Sequence, residues 1–124
     1  MSTSAYVSCK YNKMTNVTGT EELLIDIGSS SRIRVFSIFA INNYNYVANK
    51  SFGYVLKEGS GGDVIYSRGM TFGNNLNSGS SDPGIEPVSQ PKIPDHGIEC
   101  FSDLYVEGIG THGIRALTIC YQTG

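Results

Sequence analysis

The chain has 124 residues, 40% of them hydrophobic, enough for about one ordinary domain with its own core. A formal net charge of -2 at pH 7 gives no basic field to neutralise a run of phosphates, and no stretch approaches the roughly 18 apolar residues of a membrane helix. Nucleic acid and membrane are therefore not expected as partners, while 15 Gly, 8 Tyr and no Trp suit short strands joined by many turns.

The opening residues, MSTSAYVSCKYNK, lack a charged start followed by an apolar run, so folding in a cytoplasm is expected. Within them AYVSCKYN supplies a first short strand. In EELLIDIG the residues Leu23, Ile25 and Ile27 recur with period two and would share one buried face.

RIRVFSIFAINNYNY is apolar on both faces: Ile33, Val35, Phe39 and Ile41 have one parity, Phe36, Ile38 and Ala40 the other. A lone sandwich has one interior, so the second face needs cover. Either a bulge switches the faces within the domain, or a neighbouring subunit covers Phe36, Ile38 and Ala40. The second alternative makes these three the expected subunit contact of a homo-oligomer. The strand runs on into Asn42, Asn43, Tyr44, Asn45 and Tyr46, whose amides and aromatic rings are the chemistry of a glycan-binding loop.

SFGYVLKEG alternates again, with Phe52, Tyr54 and Leu56 on one face, and GDVIYSRGMTF follows across the turn from Gly59 to Asp63 as the second arm of a hairpin. That Gly-rich turn opens no helix and has no Lys-Ser/Thr after it, which argues against a phosphate loop. From Gly73 to Lys92 the residues GNNLNSGSSDPGIEPVSQPK predict a long surface loop with a short edge strand near Ile85 to Val88. GIRALTICYQTG forms the last strand, burying Leu117, Ile119 and Tyr121. The expected fold is all-β: one antiparallel β-sandwich, jelly-roll-like, spanning residues 1–124.

Chemistry concentrates in IPDHGIECFSDLYVEG, which packs Asp95, His96, Glu99, Cys100, Asp103 and Glu107 into one stretch. On a strand, Ile98, Cys100, Leu104 and Val106 take one face and Glu99, Phe101, Asp103, Tyr105 and Glu107 the other, so Cys100 and the acids diverge. His96 and Cys100 share parity but stand roughly 13 Å apart, too far for one metal ion. Pro94-Asp95-His96-Gly97 reads as a β-turn, and His112 sits in a second Gly-rich turn. No Ser lies in a nucleophile elbow. No catalytic residue, metal site or cofactor is expected, and the chain does not read as an enzyme. Cys9, Cys100 and Cys120 are odd in number and match no metal spacing, from which three free thiols are expected.

The combination of Leu56, Lys57, Gly59 and Ser60 in the hairpin turn, then Gly97, Ile98, Leu104, Tyr105 and Val106, then a final strand with Tyr121 and Gly124, resembles small virion proteins of tailed phages, especially marine ones. The resemblance spans about residues 52–124 outside the loop, with Cys100 where an aromatic is usual and Asp103 where Gly is frequent. It implies a non-catalytic virion subunit that decorates or stabilises a capsid, folds in the host bacterial cytoplasm, assembles as a homo-oligomer with a trimer favoured, and contacts the major capsid protein or other virion proteins. A tail-fibre or receptor-binding module that recognises glycans through Asn42 to Tyr46 is the alternative.

Overall fold

The computed structural model describes residues 7–15, 18–41, 51–72, 85–89, 93–110 and 113–124. Among them run nine strands: β1 (Ser8–Lys13), β2 (Glu21–Ile25), β3 (Ile33–Ile41), β4 (Ser51–Glu58), β5 (Asp63–Phe72), β6 (Ile85–Ser89), β7 (Ile98–Cys100), β8 (Leu104–Ile109) and β9 (Ala116–Thr123). They form two antiparallel sheets, one of four strands in the order β1-β9-β3-β7 and one of five in the order β2-β8-β4-β5-β6. The protein is an all-β sandwich, as the period-two pattern predicts.

The pairing is nested. The first strand pairs with the last, β2 with β8, β3 with β7, and β4 with β5 at the centre of the chain. Strand β6 adds to the edge of the five-stranded sheet beyond β5, where Pro87 is tolerated, and it lies where the sequence predicts an edge strand. The β4–β5 hairpin closes through Gly59 to Gly62, with Gly59 and Gly61 at positive φ and the Gly62 amide donating to the Gly59 carbonyl at 3.0 Å.

One core lies between the sheets. Ile33, Val35, Cys100, Leu117 and Ile119 enter it from the four-stranded sheet, and Leu24, Tyr54, Leu56, Leu104 and Val106 from the five-stranded one. Alternation is cleanest in β8, where Leu104, Val106 and Gly108 are buried and Tyr105, Glu107 and Ile109 are half-buried.

Two irregularities overrule strict alternation. In β2 the ladder to β8 shifts between Leu23 and Ile25, so Leu24 enters the core while Leu23, predicted to be inside, is exposed. In β3 the ladder to β9 shifts between Val35 and Ser37, leaving Phe36 as the extra residue. Parity inverts there. Ile33 and Val35 point inward before the bulge, while Ile38 and Ala40 pack against the core after it, opposite the buried Ile119 and Leu117. The expectation that Phe36, Ile38 and Ala40 form an apolar face that the chain itself leaves uncovered is therefore corrected. Two of these side chains line the protein's own interior, and a Cβ placed on Gly97 would meet the Phe36 ring at 3.3 Å, so that ring has cover within the chain.

Candidate functional site

The reactive residues of IPDHGIECFSDLYVEG do not meet. The chain leaves β7 at Cys100 and enters β8 at Leu104, crossing from one sheet to the other, so the stretch is two strands and not one. Glu99 stays on the four-stranded sheet, with its Oε1 3.7 Å from both the Arg32 and the Arg34 guanidinium. Glu107 goes to the five-stranded sheet, where it accepts from Lys57 Nζ at 3.0 Å. Asp103 braces the crossing: its Oδ1 accepts from the Ile27 amide at 2.9 Å and its carbonyl from the Gly59 amide at 2.8 Å.

His96 is exposed in a tight turn closed by the Gly97 amide donating to the Pro94 carbonyl at 2.8 Å, with Gly97 at positive φ, as its sequence predicts. Cys100 is a buried free thiol donating to the Ser102 carbonyl at 3.1 Å, and burial raises its pKa, which keeps it protonated and inert. Among the described residues no three His, Cys, Asp or Glu side chains come together as a metal-holding group. His112 and the segment Asn42, Asn43, Tyr44, Asn45 and Tyr46 lie outside the described residues.

Among the described residues two polar clusters remain, each with its charged groups paired within the chain. On the five-stranded sheet Lys57 Nζ sits 2.9 Å from Glu21 Oε2 and 3.0 Å from Glu107 Oε1, bridging β2, β4 and β8. The Gly61 amide and the Ser60 hydroxyl also donate to Glu21, so the Gly-rich turn grips a carboxylate of its own chain. The Lys57 hydrogen bond, then the Gly61 amide, lower the pKa of Glu21, and the two carboxylates raise that of Lys57. The second cluster, a depression of about 20 Å³ beside Arg32, Arg34 and Gln122, holds little more than a water molecule.

What the fold does gather is apolar. Leu117 and Ile119 point into the core, so Thr118 and Cys120 face outward, and the register sets Tyr11 and Phe39 on either side of Thr118. Phe39 is 66% exposed, Tyr11 59% and Ile41 39%, on the outer face of the four-stranded sheet. Adjacent strands stand about 4.8 Å apart, which places Tyr11 and Phe39 roughly 10 Å apart with only a threonine between them. Lys13 and Arg115 are exposed near one end of this face, and Arg34 and Glu99 pair at the other.

The next row holds a surprise for the sequence reading. Cys9 of β1 faces Cys120 of β9 at a Cα separation of 4.1 Å, and the two form a disulfide. The expectation of three free thiols is corrected to one. An odd count and the absence of a local spacing said nothing about two residues 111 apart in sequence, which only the strand register brings together.

No protein-family model matches the chain, and neither a curated protein nor a solved structure matches it significantly.

Proposed function

We propose that this protein is a structural subunit of a tailed-phage virion, decorating or stabilising the capsid through contacts with copies of itself, as a trimer, and with the major capsid protein. The outer face of the four-stranded sheet carries the reading. Among the described residues Tyr11, Phe39 and Ile41 present large apolar groups together on one exposed sheet face, which suits a neighbouring protein better than a small molecule. The proposed contact is thus moved from Phe36, Ile38 and Ala40 to the outer face of the same sheet, carried by β3 and β1.

Two further features support it. With β6 set aside, the orders β1-β9-β3-β7 and β2-β8-β4-β5 are compatible with a jelly roll, a fold used by capsid proteins and also by lectins and cupins, which supports the reading without selecting it. A disulfide with an exposed cysteine fits a protein that works outside a reducing cytosol, as on a virion surface.

Sedimentation at micromolar concentration tests the contact: wild type should run as a trimer, and Phe39→Asp or Tyr11→Asp as a folded monomer. Copy number per particle tests the location, because a lattice component is abundant and a fibre-tip glycan binder is scarce. A folded, monomeric wild type, or a protein present in a few copies per particle, would overturn the proposal.

A further inference from the structure

Strand β1 is held differently from every other strand of its sheet. Among the described residues it is an edge strand whose only ladder is to β9, and none of its six side chains is buried. Beyond its C-terminal end the chain is tied down, the Met14 amide donating to the Arg115 carbonyl at 2.8 Å and the Met14 side chain entering the core. Within the strand the exposed Lys10 makes one side-chain bond, from Nζ to the Leu24 carbonyl at 2.7 Å, that peeling would release. Toward the N-terminal end, the described residues Ser8 and Cys9 are exposed and have the ladder and one covalent bond, the disulfide from Cys9 to Cys120.

An edge strand without a buried face gains little from packing, and ladder hydrogen bonds open to water contribute only modestly over their hydrated alternative. We propose that the Cys9–Cys120 pair is a redox latch: with the bond formed β1 is locked to β9, and with both thiols free β1 peels from the sheet edge, pivoting near Met14, while the sandwich stays folded. Peeling uncovers the β9 edge, whose amides and carbonyls can then take a strand from another chain. Tyr11 rides on the same strand, so the bond also fixes it beside Phe39.

The chemistry is thiol–disulfide exchange with a small thiol such as glutathione. In reduction a thiolate attacks the sulfur of Cys9, which is exposed where Cys120 is half-buried, and Cys120 leaves as the thiolate. A second small thiolate then displaces Cys9 from the mixed disulfide. Two small thiols become one small disulfide, and their two protons end on Cys9 and Cys120. Oxidation is the reverse, with the small disulfide as the two-electron acceptor.

This inference does not depend on the virion reading, and its test separates the two. Hydrogen exchange of the full chain is followed by mass spectrometry, oxidised and in reducing buffer, with Cys9→Ser as a variant that cannot latch in either. Amides of β1 should exchange about tenfold faster or more in the reduced protein and in the variant, while those of β4 and β8 keep their protection. Trypsin should cut after Lys10 only in the unlatched forms. Equal protection of β1 in all forms would make the disulfide a passive staple on a strand that stays docked. Loss of protection across β4 and β8 on reduction would make it a requirement of the whole fold. Either result overturns the latch, whatever the oligomeric state.

Discussion

The bulge at Phe36 makes a prediction that neighbouring residues answer in opposite ways. Ile38 packs against the core facing Ile119, whereas Phe39 stands 66% exposed on the outside. Ile38→Asp removes part of an apolar burial of about 1.5–3 kcal/mol and sets a carboxyl against the interior, which costs a few kcal/mol more. A combined loss of about 4 kcal/mol is a large share of the roughly 5–15 kcal/mol that holds a domain together. With about 2.1 cal/mol/K of unfolding entropy per residue over 124 residues, it lowers the melting temperature by roughly 15 °C. Phe39→Asp places its carboxyl in water and should stay within about 0.5 kcal/mol, or about 2 °C, measured on the dissociated chain. Thermal melts by circular dichroism at matched dilute concentration read both. Lowering the pH to about 4 protonates a carboxyl held at the core edge and should narrow the gap between the variants. If Ile38→Asp melted within about 2 °C of wild type, or Phe39→Asp fell as far as Ile38→Asp, the inversion of faces in β3 would be wrong.

Leu56, fully buried on β4 between β5 and β8, should cost about 3 kcal/mol as Leu56→Ala, read as a lower urea midpoint at unchanged slope. Gly53→Ala would set a Cβ 2.7 Å from the Arg68 carbonyl oxygen and 3.1 Å from the Gly69 Cα, so the β4–β5 ladder must part and stability should fall by about 1–3 kcal/mol in the same assay. The pKa of Glu21 is held below its ordinary 4.5, so its contribution is present above that value and is lost as pH falls through the lower, folded one. Melting temperature should therefore decline on acidification below 4.5, and Lys57→Met should flatten that decline by removing the largest cause. A variant with the wild-type acid profile would show that Lys57 does not set it.

Where packing alone decides, the sequence was readable. Tyr54 and Leu56, Leu104 and Val106, and Leu117 and Ile119 alternate with residues that face away, and each pair lies in the core as its parity requires. Turns were readable for a chemical reason, since Gly59, Gly61 and Gly97 occupy backbone conformations that side chains disfavour. Parity fails once an extra residue enters a strand, because a shift of one sends every later side chain to the other face. Nothing local marks Phe36 or Leu24 as that residue: each is an apolar side chain among apolar neighbours, and the ladder to the partner strand decides. Ile38 and Ala40 were thus assigned to the outer face of β3 when the bulge turns them inward. Tyr11, its neighbour across β9, was invisible because register between the first and last strands is a long-range property.

The nested pairing explains why the cluster that looked most like an active site dissolves while a surface no motif marks comes together. Each crossing from sheet to sheet sends consecutive residues to different layers, so Glu99 and Glu107, eight apart in sequence, end on different sheets and are neutralised there by Arg34 and by Lys57. The same crossings bring β1, β9 and β3 side by side, assembling Tyr11, Thr118 and Phe39 from three distant parts of the chain. Glu99 and Glu107, which arise together in the sequence, are thus separated and paired with cations of their own sheets. Apolar groups that arise apart are gathered on a face the core cannot use. In the proposed virion role that face is the one a neighbour would cover, and the disulfide lies in the row beside it, joining the two strands that carry Tyr11 and Thr118.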